Sequence, residues 1–317
     1  MSKQIQGIHH VTAIAGDPQR NLDFYAGVLG LRLVKLTINY DDPGTYHLYY
    51  GDYSGQPGTL ITFFPWLGVP RGRAGSGQVV TTSFSIPEGS LDYWKTRFSE
   101  RGVSYLEDTS KFGDHTLAVQ DYDGMNIEVT SSATDPRPGW PGGPVPNEHA
   151  IRGFHAATFA VGRLDRSVDL LGGTMGFSKV DSQGDRYRFQ APGNGPGSII
   201  DLVETPPNQR ALQGAGSVHH IAWRTADDAE QVQWQSELLN LGYQVSPVMD
   251  RTYFHSIYYR EPSGILYEIA TDRPGFAVDE PLESLGSKLV LPAWLEPERA
   301  EVERVLPKLT LPEVQHA

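Results

Sequence analysis

Apolar and polar residues alternate along short runs through most of the chain, and glycine or proline punctuates the gaps between the runs. A period of two predicts half-buried strands, whereas apolar residues three and four apart predict helices. Ile8 opens the first strand. Asp17 then stands where it can cap a helix through Asn21-Leu-Asp-Phe-Tyr-Ala-Gly-Val-Leu, because its carboxylate can accept from first-turn amides. Gly30 ends that helix. Leu31-Arg-Leu-Val-Lys-Leu, Thr45-Tyr-His-Leu-Tyr-Tyr and Thr59-Leu-Ile-Thr-Phe-Phe follow as strands, which gives the order βαβββ.

That order recurs. A second unit runs from Gln78-Val-Val-Thr-Thr-Ser-Phe, through a helix around Leu91-Asp-Tyr-Trp, to Asp123-Gly-Met-Asn-Ile-Glu-Val. A third starts at Gly153-Phe-His-Ala-Ala-Thr-Phe-Ala-Val, has a helix around Ser167-Val-Asp-Leu-Leu, and ends with Gly197-Ser-Ile-Ile-Asp-Leu-Val. The fourth opens at Ser217, has a helix around Val232-Gln-Trp-Gln-Ser-Glu-Leu, and closes with Pro262-Ser-Gly-Ile-Leu-Tyr-Glu-Ile-Ala. The class expected is α+β, with two modules in each of two tandem domains, residues 1–135 and 151–272. The stretch from Ser131 to Glu148 is rich in Pro, Gly and Asp, so a linker is expected over 136–150. A tail over 273–317 carries a helix-like acidic segment from Glu296 to Val305.

The totals narrow the functional classes. At 317 residues the chain can bury an ample core. A formal charge of −12 argues against nucleic acid or an anionic membrane as a partner. With no cysteine, zinc–thiolate sites, disulfides and cysteine nucleophiles are excluded. Met1-Ser-Lys-Gln-Ile-Gln has no apolar signal core and no apolar run reaches spanning length, so a cytoplasmic protein is expected.

Candidate chemistry lies in two matching stretches, Gly7-Ile-His-His-Val-Thr-Ala-Ile-Ala-Gly-Asp17 and Ser217-Val-His-His-Ile-Ala-Trp-Arg-Thr-Ala-Asp227. In both, the second histidine precedes an aspartate by seven residues. A single His-His pair is more often packing than chemistry; two in one context point to duplicated modules that each offer a ligand. Aligned by hand, the four modules put His10, Val80, His155 and His220 at one slot of the first strand. Thr62, Glu128, Asp201 and Glu268 fall in the last strand, four residues after a turn glycine. If the fourth module pairs with the first, the cup holds His10, His220 and Glu268, a set suited to non-heme Fe(II) and O2. If it pairs with the third, the cup holds His155, Asp201, His220 and Glu268, which suits a Lewis-acid metal. The residues alone leave both open.

The pattern resembles the vicinal-oxygen-chelate superfamily, which includes glyoxalase I, type I extradiol dioxygenases and metal-free antibiotic-binding proteins. More narrowly, both halves and the tail resemble the hydroquinone ring-cleaving dioxygenases and related bacterial proteins. The resemblance rests on Gly7-Ile-His-His-Val-Thr, Val218-His-His-Ile-Ala-Trp and Arg251-Thr-Tyr-Phe-His-Ser-Ile-Tyr-Tyr-Arg-Glu-Pro-Ser-Gly-Ile-Leu-Tyr-Glu. It implies iron held by His10, His220 and Glu268, with His9 and His219 near the substrate and Thr12, Arg251 and Tyr258 in the pocket. It also implies Fe(II) as cofactor, Mn(II) as the alternative ion, O2 as co-substrate and a small hydroquinone- or catechol-type substrate.

Plainer roles compete for several of these residues. Adjacent strand side chains point to opposite faces, so His9 and His219 can be structural. Thr12 suits any half-buried strand, Tyr258 can be a packed aromatic, and Arg251 can pair at the surface with Asp250. His155, Glu128 and Asp201 can be remnants of a second cup. Three functions follow: a ring-cleaving dioxygenase, a glyoxalase-like isomerase or lyase using the four-ligand cup, or a non-catalytic protein that binds an aromatic compound. The tail could pack on a neighbouring subunit, making a homo-oligomer.

Overall fold

The computed structural model describes residues 3–311; the first two residues of the expected N-terminal domain and 312–317 of the expected tail lie outside them. The first module consists of β1 (Ile8–Ala15), α1 (Pro18–Leu22), β2 (Arg32–Asn39), β3 (Asp42–Gly51) and β4 (Leu60–Pro65). The second has β5 (Gln78–Pro87), α2 (Leu91–Glu100), β6 (Tyr105–Asp108), β7 (Thr116–Gln120) and β8 (Asn126–Ser132). The third has β9 (Gly153–Val161), α3 (Leu164–Val168), β10 (Ser178–Gln183), β11 (Arg186–Gln190) and β12 (Ile199–Glu204). The fourth has β13 (Ser217–Thr225), α4 (Asp228–Asn240), β14 (Met249–Asp250), β15 (Phe254–Arg260) and β16 (Leu266–Pro274). Each module is βαβββ, and the class is α+β.

The aspartates of the repeated motif act as helix caps. Asp17 Oδ1 accepts from the Arg20 amide and Asp227 Oδ1 from the Glu230 amide, each at 2.9 Å. The first helix starts at Pro18, directly after its Asp17 cap, and continues as a π-helical turn over Asp23–Val28. The third module repeats this with a π-helical turn over Asp169–Thr174. Gly30 and Gly176 follow the two turns at φ 72° and 79°, where an L side chain would be strained.

Module pairing is decided by the sheets. One eight-stranded sheet runs β14-β15-β16-β13-β1-β4-β3-β2, joining the fourth module to the first. The other runs β10-β11-β12-β9-β5-β8-β7-β6 and joins the third to the second. Each sheet therefore draws one module from either side of the 136–150 linker. In the first sheet β1 and β13 are antiparallel at the centre, with His10 opposite Ala222 and Thr12 opposite His220. The next strands place Glu268 beside Ala222 and Tyr258 beside Glu268. Because same-face side chains lie two residues apart on a strand, these two rows fill a single face.

The sheets share an apolar core. Trp223 of β13 is fully buried and packs against Phe159 and Phe177 of the third module and Tyr267 of its own. The tail packs on its own chain. The Val290 amide donates to Leu36 O at 2.9 Å, and Tyr46 Oη donates to Pro307 O at 2.9 Å. Lys35, with no exposed side chain, pairs with Asp279 and Glu280 of the tail. The acidic segment forms a 3-10 turn over Glu296–Glu298 and then α5 (Arg299–Val305). Among the described residues no helix is long and apolar enough to cross a membrane.

Candidate metal centre

The β1–β13 junction and the neighbouring β16 bring three ligand atoms together. His10 Nε2 lies 3.3 Å from His220 Nε2 and 3.3 Å from Glu268 Oε2, and His220 Nε2 is 3.0 Å from the same oxygen. All three residues are buried, Glu268 completely. Burial by itself would raise the Glu268 carboxyl, but His10 and His220 beside it hold it well below the usual carboxylate range. Burial lowers His220, against the pull of Glu268, so its ring stays neutral. A buried carboxylate beside a neutral imidazole lacks a countercharge, and Glu268 Oε2 faces only the two histidine ring nitrogens. A divalent cation supplies what is missing, and carboxylate plus neutral imidazole is the protonation state that binds one. The residues fit a metal.

The groups behind the ligands fix their orientation. Ser256 Oγ donates to Glu268 Oε1, turning Oε2 towards the histidines. His9 Nε2 lies 3.2 Å from the Thr271 carbonyl, which can only accept, so that nitrogen carries the proton. His9 Nδ1 is then an acceptor for His10 Nδ1–H at 2.9 Å, which leaves the His10 Nε2 lone pair free for a metal. The second pair repeats the contact, with His219 Nδ1 2.8 Å from His220 Nδ1. If His220 Nε2 binds metal, His219 must carry its proton on Nε2. Burial and His220 lower His219 to about 3, so it too is neutral.

A cavity of about 440 Å3 opens on the triad, within the usual range for a small-molecule site. Its walls are largely aromatic, with Tyr49, Phe64, Trp66, Phe254 and Tyr258 among them. His219, Arg251 and Tyr258 line it as well. Arg251 Nε donates to Tyr258 Oη at 3.2 Å, and burial together with the Glu268 charge raises Tyr258, keeping its hydroxyl protonated. The other two expected pocket residues sit behind the wall. His9 lines a separate cavity with Arg224 and Asp272. Thr12 is fully buried, and its hydroxyl lies 2.8 Å from that of Thr62.

His47 is a pocket residue that the sequence reading passed over. Its Nε2 is 2.9 Å from Thr62 Oγ1, and its ring packs on Tyr49 and Phe64. The available signal was its alternation with Tyr49 on one face of β3.

The four-ligand cup is corrected by the sheet order. His155 and Asp201 lie in the second sheet, apart from His220 and Glu268 in the first. Their own cup is filled by ion pairs: Arg188 with Asp201 and Asp114, each at 2.8 Å, and Lys111 with Glu128. Val80 offers no donor there. The surface pairing of Arg251 with Asp250 is also corrected, because Arg251 reaches Asp41 of the first module instead, at 3.3 Å.

Comparison with known proteins agrees with this architecture. The model of the Glyoxalase/Bleomycin resistance protein/Dioxygenase superfamily matches residues 7–129 and 153–269. The chain is 48% identical over 306 residues to "Putative ring-cleaving dioxygenase MhqO" of Bacillus subtilis, covering 96% of this chain and 97% of that one. It is 33% identical over 314 residues to the chlorohydroquinone/hydroquinone 1,2-dioxygenase of Sphingobium indicum, covering 96% and 97%. A crystal structure of a "putative dioxygenase" from Bacillus subtilis superposes with a TM-score of 0.94 at 47% identity, covering 98% of this chain and all of that one. With four βαβββ modules and matches across both halves, the chain belongs to the Glyoxalase/Bleomycin resistance protein/Dioxygenase superfamily.

Proposed function

We propose that this chain is an Fe(II)-dependent, extradiol-type ring-cleaving dioxygenase that inserts O2 into a hydroquinone or a related dihydroxyarene. The observation that carries this reading is a two-histidine, one-carboxylate cluster opening on an aromatic-walled cavity. Three protein ligands leave a six-coordinate metal three open positions, room for both substrate and O2, whereas a four-ligand cup leaves two. The names of the relatives point to ring cleavage and, for one of them, to hydroquinones. When bound there, Fe(II), or Mn(II) in its place, supplies a Lewis acid that favours phenolate and a site where O2 can bind beside it.

The side chains do the rest. Tyr258 Oη accepts from Arg251 and keeps its own proton to donate to a phenolate oxygen. Arg251, permanently charged, stabilises negative charge that develops on the ring oxygens. With metal on His220, His219 presents Nε2–H in the pocket wall and can donate a hydrogen bond to an oxygen of the substrate during ring opening. The aromatic walls exclude water and hold a flat ring.

The competing readings lose their support. A glyoxalase-like isomerase using His155 and Asp201 lacks an assembled ligand set. A protein that only binds aromatics has no use for two imidazole nitrogens and a buried carboxylate oxygen converging within 3.3 Å. A hydroquinone offers a metal one oxygen and a catechol two adjacent ones, so the test uses both. Oxygen uptake is measured with anaerobically Fe(II)-loaded protein given methylhydroquinone, chlorohydroquinone or catechol. Uptake with a hydroquinone, abolished in His220→Ala, supports the proposal. No uptake with any of the three, in protein shown to hold iron, contradicts it.

A further inference from the structure

The pocket mouth joins two distant parts of the chain. The turn between β2 and β3 contributes Tyr40 and Asp41, the start of β3 contributes Asp42, and the fourth module contributes Arg251. Tyr40 Oη lies 2.8 Å from Thr252 Oγ1 and fastens that turn beside Arg251. Asp250, the neighbour in sequence, instead accepts from the Thr252 amide at 2.7 Å, which leaves Asp41 to face the guanidinium. Asp42 is occupied with Trp66 Nε1 and Thr45 Oγ1, each at 2.8 Å.

Charge in this cavity is one-sided. Arg251 is the one fixed cation among the described lining residues, against the carboxylates of Asp41, Asp42 and Glu268. Glu268 is committed to the metal cluster. Arg251 is divided between Tyr258, whose hydroxyl it binds and whose ring it covers at 5.4 Å, and Asp41. Arg260 lies outside the lining and donates to the Gly264 carbonyl.

We propose that Asp41 is a specificity-determining residue: by engaging Arg251 it withholds the guanidinium that a ring carboxylate would need, so the pocket takes dihydroxyarenes with uncharged substituents and rejects carboxylated ones. This rests on the dioxygenase reading for the class of ring. A ring carboxylate held at the mouth, away from the metal cluster, meets Asp41 and Asp42 and leaves water without gaining a side-chain cation, which is selection by an unfavourable contact. Asp41 acts through Arg251 and is a positioning residue. Its side chain is 70% exposed, so the pair itself adds little to stability and its removal leaves the fold intact.

The test is equilibrium binding by calorimetry to full-length Fe(II)-loaded protein without oxygen, so that affinity is read apart from turnover. The probes are methylhydroquinone and 3-(2,5-dihydroxyphenyl)propanoate, whose carboxylate stands too far from the ring hydroxyl to form a favourable chelate with it on one metal ion. The wild-type protein prefers methylhydroquinone by at least about tenfold, a difference in the range of a single charge contact at a partly exposed site. In Asp41→Asn that preference shrinks by about tenfold, and in Asp41→Glu it returns. A preference unchanged in Asp41→Asn, lost equally in Asp41→Glu, or absent from the wild type overturns the proposal, as does binding of neither ring. The predicted preferences without oxygen uptake on a hydroquinone would overturn the dioxygenase reading and leave the role of Asp41 standing.

Discussion

His10 Nε2 lies 3.3 Å from His220 Nε2 across 210 positions of sequence, because β1 and β13 meet antiparallel at the centre of one sheet. Metal content separates this cup from the one in the second sheet. His10→Ala is expected to lose stoichiometric iron in anaerobic titration. Asp201→Ala is expected to keep it while losing about 1.5–3 kcal/mol of stability in urea melts, because Arg188 keeps Asp114 but loses its hydrogen bonds to Asp201.

Ser256 is the donor that fixes the second oxygen of Glu268. Ser256→Ala leaves the three ligands in place but frees the carboxylate to rotate. Its iron affinity should fall by about 10–100-fold, the usual effect of losing a group behind a metal ligand. Competition with a calibrated chelator measures this; an unchanged affinity would show that packing alone orients Glu268.

Burial lowers His9, His47, His219 and His220 in the folded protein. Below the unfolded histidine value of about 6.5, the unfolded chain takes up these protons and the folded chain does not. Metal-free protein is therefore expected to be at full stability above that pH. As pH falls below it, stability should drop by up to about 1.4 kcal/mol per pH unit for each such histidine. Glu268, held low when folded, adds a loss of the same sign at more acid pH. Urea midpoints at pH 7.5 and 5.5 measure the slope, and His47→Asn should make it shallower.

The tail is fastened by a buried charge. Lys35 sits against Asp279 and Glu280, and Tyr253 Oη also donates to Asp279 at 3.0 Å. Lys35→Met removes the cation and leaves Glu280, almost fully buried, unpaired. A loss of about 3–5 kcal/mol is expected in urea unfolding, and Lys35→Met with Glu280→Gln should recover part of it.

Local signals carried much of this in the sequence. The Asp17 and Asp227 caps, the strand alternation and the positions of His10, His220 and Glu268 all recur at fixed offsets within a module, so one chain displays them more than once. Which modules pair was not legible, because β1 and β13 carry no local mark that they are neighbours. Asp41 facing Arg251 was hidden for the same reason as the pairing: it depends on register between strands from opposite ends of the chain. His47 carried no mark of its own, being a lone histidine among the tyrosines of a strand, without the adjacent partner that singled out the two pairs.

The most direct measurement is product stoichiometry in a sealed reaction of Fe(II)-loaded protein with methylhydroquinone. The account predicts one O2 consumed per ring, a ring-opened product and no hydrogen peroxide. Formation of methylquinone together with hydrogen peroxide would mean that the site removes electrons without cleaving the ring, and would contradict it.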